Sequence, residues 1–312
     1  MRRILALIFA AVVASVPLSL GALAISPASA CACGSSNWSI PEPVATTADP
    51  VDDLHTLTVD STIYAVWVRP DANAASASQV IKAASYDGGV TWEDELFLGK
   101  GAEPTIMRTS TGKVTIFWVE DATSSLGVGR SKISSFEFDD NGGGVRAYVT
   151  ADQDANDEIY GLTPAALPGG DVALSWIYQV TPTSTSNSVH SAVRSQNLWW
   201  LGSLMPAQSS SYWYQSLELT AGTLTNGGPT LVLSWAQGDG VSPVQVAFSM
   251  SPIPADAQSL AAWQWQCAAP TVLSSLASGE IHTEANPAGG FVFGFTDTNI
   301  DPGETWVELH GV

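Results

Sequence analysis

Five short apolar segments recur along the chain, and each ends on an aromatic residue. Their last residues are separated by 51, 58, 59 and 60 positions. The last four follow turn signals such as PGG and NGG, and strand-like residues lie upstream of each turn. The repeated unit is therefore a β-hairpin whose second strand is apolar on both faces. The five segments are IYAVW (63–67), VTIFW (114–118), VALSW (172–176), LVLSW (231–235) and FVFGF (291–295).

Most of these hairpins are followed by a second pair of strand-like segments, such as QVIKAAS (79–85) and TWEDELFL (91–98). Four strands per repeat are typical of a β-propeller blade, so we predict an all-β propeller with five blades. A sixth blade stays open, because FVFGF also fits the third strand of a complete last blade. The alternative fold is a β-sandwich, which would require the regular spacing to be a coincidence.

The first 30 residues have the pattern of an export signal. Arg2 and Arg3 precede an apolar run, and Ala28-Ser29-Ala30 forms a small-residue cleavage site. We therefore expect a mature chain, residues 31–312, that forms a single propeller domain without a transmembrane segment. We expect it to be secreted or located at the cell surface. An uncleaved N-terminal anchor is the alternative.

The formal net charge of the chain is −19 at pH 7. Binding of phosphate groups needs clustered lysine and arginine, so this charge argues against nucleic acid and anionic membranes as partners. A glycan or a surface protein is the expected kind of partner.

Three cysteines lie in a chain that is predicted to reach an oxidising compartment, where cysteines pair. In one arrangement, Cys31 carries the lipid of a lipoprotein and Cys33 forms a disulfide with Cys267. In the other, ordinary cleavage leaves one disulfide and one thiol. Both arrangements stay open.

The turn segment SYDGGVTW (85–92) matches the pattern S-x-D-x-G-x-T-W, and a second copy, NIDPGETW, occupies 299–306. The pattern resembles the Asp-box of the bacterial-neuraminidase-repeat proteins, whose best-known members are sialidases with six blades. The resemblance implies a structural role at the outer rim, with the aspartate accepting hydrogen bonds from its own turn. The matching residues are Ser85, Asp87, Gly89, Thr91, Trp92, Asp301, Gly303, Thr305 and Trp306.

The resemblance to sialidases does not extend to the carboxylate-binding arginines. Their Arg-Ile-Pro motif corresponds here to Ser39-Ile40-Pro41, and a serine cannot replace a guanidinium group. Of the five arginines after the signal, only Arg108 lies on a predicted innermost strand. A three-arginine clamp for a sugar acid is therefore not expected.

An acidic residue precedes the first strand of each hairpin, where a propeller strand approaches the central channel. Such a ring could bind a cation or supply the acid and base of glycoside cleavage, and solvent-exposed turns are the alternative. With Arg108, these residues are the catalytic candidates: Asp53, Glu103, Glu158, Glu218 and Glu280.

Binding candidates are fewer. His55 and His282 occupy matching places in DLHT and EIHT, and Tyr212 and Trp213 could stack on a sugar ring. Calcium is the one candidate cofactor, because two stretches of the sequence have alternating oxygen ligands. Its candidate ligands are Asp152, Asp154, Asn156, Asp297 and Asn299.

These observations favour an exported Asp-box propeller that acts as a binding or interaction module, with glycans as candidate ligands. A glycoside hydrolase of sialidase-like fold, which uses carboxylates at the channel mouth, is the alternative.

Overall fold

The computed structural model shows antiparallel β-sheets and one short 3-10 turn at Pro168–Gly170. It describes residues 51–71, 74–124, 127–139, 143–149, 158–179, 187–195, 198–201, 213–225, 227–239, 244–254, 271–297 and 306–308. Several residues named above lie outside these ranges: the cysteines, Ser39, Asp152, Asp154, Asn156, Tyr212, and Asn299, Asp301, Gly303 and Thr305 of the second Asp-box. Trp306 is described by its backbone alone. Among the described residues, no helix is long and apolar enough to cross a membrane.

The strands fall into five consecutive antiparallel sets, which we call blades 1 to 5. Blade 1 contains β1 (Asp52–Val59), β2 (Thr62–Asp71), β3 (Ala74–Ser85) and the first part of β4 (Leu96–Arg108). Blade 2 contains the second part of β4, β5 (Val114–Ser124), β6 (Gly127–Phe138) and β7 (Gly144–Tyr148).

The remaining blades follow the same order. Blade 3 contains β8 (Glu158–Ala166), β9 (Val172–Gln179), β10 (Ser188–Ser195) and β11 (Leu198–Leu201). Blade 4 contains β12 (Trp213–Thr223), β13 (Pro229–Gly238), β14 (Val244–Pro252) and the first part of β15 (Thr271–Ala285). Blade 5 contains the second part of β15, β16 (Phe291–Asp297) and β17 (Trp306–Glu308).

The first strand of each blade contacts the first strand of the next: β1 contacts β4, β4 contacts β8, β8 contacts β12, and β12 contacts β15. We call these first strands the inner strands. Blades whose inner strands lie side by side in sequence order form a β-propeller. The prediction of an all-β propeller is confirmed, and five blades are consistent with the strand sets described.

Apolar side chains fill the spaces between consecutive blades. Tyr64 and Val66 of blade 1 pack with Ile116 of blade 2, and equivalent clusters join blades 2 and 3, 3 and 4, and 4 and 5. The aromatic residue that ends each repeated segment is buried in every blade, which explains why the second strand is apolar on both faces. These aromatics are Trp67, Trp118, Trp176, Trp235 and Phe295.

The turn that follows β3 is held by its own side chains. Asp87 accepts hydrogen bonds from the Thr91 N–H and hydroxyl at 2.8 Å each, and Ser85 donates to Asp87 and accepts from the Gly89 N–H. The bonds from Thr91 are the main cause of the lowered pKa of Asp87. Trp92 covers the buried cluster around Trp67. The Asp87 carboxylate is therefore occupied within its own turn.

Blades 1 and 2 are joined at a close contact that requires glycine. The segment 99–101 passes over the Trp118 ring, and Gly101 has φ 149°. A Cβ at Gly101 would lie 2.0 Å from the Val119 carbonyl oxygen, a distance that the backbone cannot tolerate.

We expect Gly101→Ala to destabilise the protein by at least about 2 kcal/mol, because it combines strain in the backbone with overlap against β5. The matched control is Gly143→Ala, since nothing lies within 4 Å of its added Cβ. Urea unfolding monitored by tryptophan fluorescence measures both variants. Equal stability of the two variants would contradict this packing.

Candidate active site

Every inner strand carries a β-bulge, which lies opposite the buried aromatic in blades 1 to 3 and opposite the residue after it in blades 4 and 5. In the first four blades, two residues of the inner strand oppose one residue of the neighbouring strand, and the fifth bulge is longer. The bulges lie where the inner strands begin, and we call this the bulge end of the propeller. In each blade, one residue of the inner strand pairs with the residue just before the buried aromatic, and we call this position the common level. The residues at the common level are His55, Thr105, Thr163, Glu218 and His282.

In blades 1 to 3, the residue two positions before the common level has left-handed backbone. Asp53 has φ 49°, Glu103 has φ 50°, and Gly161, at the matching position of blade 3, has φ 66°. This conformation costs an ordinary L-residue such as glutamate about 1–2 kcal/mol, and backbone strain of this kind concentrates at functional sites. The strain therefore draws attention to the carboxylates of Asp53 and Glu103.

A cavity of about 410 Å³ opens at the bulge end between blades 1, 2 and 3. Asp52, Asp53 and His55 line it from blade 1, Glu103 from blade 2, and Gly161 from blade 3. The cavity thus contains three carboxylates and an imidazole.

The predicted ring of five equivalent acidic residues needs correction. Asp53, Glu103 and Glu280 do lie two positions before the common level. Glu218, in contrast, lies at that level, and Glu158 lies three positions too early, at the exposed start of β8. Counting along the sequence missed these shifts because a bulge changes the register. The Glu280 side chain lies outside the described part of the chain.

Hydrogen bonds between inner strands tie successive blades together at this level. Thr163 Oγ1 accepts from the Leu219 N–H at 2.8 Å, and Glu218 Oε2 accepts from the Thr283 N–H at 2.6 Å, so the two bonds are equivalent. Between blades 2 and 3 the corresponding residue is Pro164, which has no N–H. There, Glu103 Oε2 accepts instead from the Gly161 N–H at 2.5 Å.

Glu218 is partly buried and has a defined hydrogen-bond pattern. Burial raises the pKa of its carboxyl, whereas the Thr283 N–H and the neighbouring His282 act in the opposite direction. His282 is exposed, and its Nδ1 lies 3.8 Å from Glu218 Oε2. Because Oε2 accepts the Thr283 N–H, the acidic proton belongs on Oε1. Glu218 is thus suited to donate a proton.

His55 has a different character. Partial desolvation by neighbouring groups lowers the pKa of its imidazole although the residue stays exposed, and the nearby Asp53 only partly opposes this effect. His55 is therefore neutral at pH 7 and can accept or donate a hydrogen bond in the cavity.

Two residues that support the site without lining the cavity were not found from the sequence. Asn187 is buried, and its amide binds both backbone groups of Tyr214: Oδ1 accepts from the N–H at 2.7 Å, and Nδ2 donates to the carbonyl at 2.8 Å. Asn187 Nδ2 also donates to the Tyr160 phenol. Burial raises the pKa of Tyr160, the Asn187 bond opposes this, and the charges of Glu158 and Glu103 add to the rise. No sequence pattern indicated either residue.

Arg108 lies away from the cavity. It is exposed at the end of β4, beside Gly112 in the β4–β5 turn, while Glu103 lies at the bulge end of the same strand. Three other arginines form ion pairs elsewhere, and the side chain of Arg130 lies outside the described part. These pairs are Arg69 with Glu95, Arg146 with Glu120, and Arg194 with Glu137.

Trp213, the first residue of β12, is partly buried at the bulge end of blade 4. Within the described ranges, no group of three or more His, Cys, Asp or Glu side chains could hold a metal ion. The Asp297 side chain and the other calcium candidates lie outside those ranges.

No protein-family model matches the chain, and no curated protein matches its sequence. Its fold is similar to that of an α-L-arabinofuranosidase of glycoside hydrolase family 93 from Fusarium graminearum, with 13% identity, a TM-score of 0.52, and coverage of 79% of this chain and 74% of the other. It is also similar to an α-L-arabinanase from Penicillium chrysogenum, with 13% identity, a TM-score of 0.51, and coverage of 86% and 80%.

These comparisons place the chain in the class of β-propellers. They also correct the functional interpretation favoured by the sequence. A binding or interaction module is the wrong interpretation, because the solved structures that share the fold are named as glycosidases, in agreement with the enzyme alternative.

The raised pKa of Glu218 predicts a pH dependence of stability. A carboxyl whose pKa is higher in the folded state contributes stability that is complete below its unfolded pKa and is lost as pH rises through the folded pKa. The ordinary value is 4.5, so the folded pKa lies above it. We expect the melting temperature of the wild type, relative to Glu218→Gln, to fall as pH rises from the ordinary pKa towards neutrality. Thermal unfolding across this range measures it; a constant or rising difference would show that Glu218 is not buried in this way.

Proposed function

We propose that this protein is a glycoside hydrolase whose active site is the cavity at the bulge end. The observation that supports it most is that Asp53 and Glu103, from neighbouring blades, line one open cavity together with His55. Glycoside cleavage by two carboxylates requires one that is protonated and one that is charged.

The two roles follow from the different surroundings of the carboxylates. We assign the general acid to Glu218, which lies at the common level of blade 4, outside the lining of the cavity. Desolvation raises the pKa of its carboxyl, and the Thr283 N–H occupies Oε2, which leaves Oε1 to carry the proton. As the bond from the anomeric carbon to the glycosidic oxygen breaks, this proton passes to that oxygen, and a new bond to the anomeric carbon forms from the charged carboxylate or from a water molecule that it deprotonates. We assign the charged carboxylate to Glu103, because the Gly161 N–H fixes the orientation of one of its oxygens.

The charges around the cavity indicate a neutral substrate. Asp52, Asp53 and Glu103 make its wall negative, and none of the arginines with described side chains lines it. A sugar acid would be repelled there and would find no guanidinium partner. We therefore propose neutral glycosides, with α-L-arabinofuranosides tested first because they are the substrates named for the proteins of similar fold.

The same proposal includes export and membership of the Asp-box propellers. The hydrogen bonds of Ser85, Asp87 and Thr91 support the latter. The Asp87 turn bonds to Ser61, which follows β1, so it lies at the end of the inner strand opposite Asp53. It takes no part in the proposed chemistry.

We expect turnover of 4-nitrophenyl α-L-arabinofuranoside or debranched arabinan, and none of the corresponding sialoside. Glu218→Gln should lower kcat by about 10²- to 10⁴-fold, the usual contribution of a general acid. Its stability at neutral pH should not fall, because a Gln amide oxygen can still accept the Thr283 N–H.

The matched control is Glu95→Gln, which removes the same charge at the ion pair with Arg69. It should leave kcat unchanged. A folded wild type that cleaves no glycoside in a broad panel, or a Glu218→Gln variant with full kcat, would overturn the proposal. Faster turnover of sialosides than of arabinosides would overturn the neutral substrate class.

A further inference from the structure

We propose that Asn187 is a positioning residue that fixes the strand carrying Glu218 relative to the cavity that contains Glu103. This inference rests on the proposed glycoside hydrolase function. Asn187 does not line the cavity, so it acts through the groups that it binds.

The Asn187 amide is fixed in orientation by its hydrogen-bond partners. The Tyr214 N–H can only donate and the Tyr214 carbonyl can only accept, so Oδ1 must face the former and Nδ2 the latter. The second hydrogen of Nδ2 goes to the Tyr160 phenol. One buried side chain therefore joins three segments of the chain, through the backbone of Tyr214 and the phenol of Tyr160.

Both partners of Asn187 lie where an inner strand bulges. Tyr214 is the last paired residue before the bulge of β12, and Tyr160 is the last before the bulge of β8. The ladder is interrupted directly after each of these residues, so a side chain that binds there adds a constraint at the edge of the bulge. For Tyr214, Asn187 supplies both an acceptor and a donor, as a neighbouring strand would.

The two partners of Asn187 are connected to the carboxylates of Glu103 and Glu218. Gly161, next to Tyr160, donates its N–H to Glu103. On the other side, the bulge of β12 ends at Leu217, next to Glu218. A continuous series of hydrogen bonds and short backbone segments thus runs from Glu103 through Asn187 to Glu218. Glycosidase carboxylates must keep a defined separation, and misplacement by about 1 Å can cost on the order of 100-fold in rate.

The experiment compares three variants. Asn187→Ala removes all the bonds, and Tyr160→Phe removes only the bond to the phenol. The control, Ser110→Ala, removes two hydrogen bonds between blades 2 and 3 at the opposite end, from Ser110 Oγ to the Leu167 carbonyl and from the Gly170 N–H to Ser110. Carboxyl NMR titration, assigned with Glu218→Gln, measures the pKa of Glu218, and steady-state kinetics give kcat, KM and the pH profile.

We expect Asn187→Ala to lower the pKa of Glu218 toward its ordinary value, because the freed strand lets water reach the carboxyl. The alkaline limb of the kcat profile should move down with it, and kcat should fall on the order of 10- to 100-fold with a smaller change in KM. Tyr160→Phe should lower kcat less, and Ser110→Ala should change neither quantity.

The inference is overturned if Asn187→Ala, or Tyr160→Phe should the former not fold, matches Ser110→Ala in both kcat and the Glu218 titration. If the wild type cleaves no glycoside but the titration shifts as expected, the proposed function fails, and the placement of Glu218 by Asn187 stands.

Discussion

The bulges of the inner strands are the constraint on which the site depends. Each inserts extra backbone at the level where five strands meet, and so turns side chains out of the regular alternation. Asp53 and Glu103 face a shared cavity because their left-handed backbone redirects them. Hydrogen bonds from one inner strand to the N–H groups of the next hold this arrangement, and apolar packing between blades excludes water behind it.

The same hydrogen bonds explain why carboxylates occupy different positions in different blades. A threonine hydroxyl is sufficient to tie blade 3 to blade 4, since Thr163 accepts the Leu219 N–H. In blade 4, Glu218 occupies the equivalent position and adds an ionisable group. Between blades 2 and 3, Pro164 of blade 3 lacks the N–H that Thr105 of blade 2 would need, and Glu103 makes the connection from two residues earlier. Structural and chemical roles are therefore combined in the same side chains.

The propeller could be predicted from the sequence because a strand that packs between two blades must be apolar on both faces, as VTIFW and LVLSW are. The hydrogen-bond pattern of the Asp87 turn is local, and short patterns of this kind can be recognised in a sequence. The site was predicted only in part. Bulges shift the register without any signature in the residues, so Glu158 and Glu218 were placed at the wrong level. Asn187 was missed because its partners are backbone groups 27 residues away.

The central claim is that carboxylates at the bulge end cleave a neutral glycoside. The most direct measurement is a crystal structure of the Glu218→Gln variant with bound arabinobiose. We expect a sugar ring in the cavity beside Asp53 and Glu103, with the glycosidic oxygen within hydrogen-bond distance of the residue at position 218. A disaccharide bound at the opposite end of the inner strands, or on the outer rim near Asp87, would contradict it.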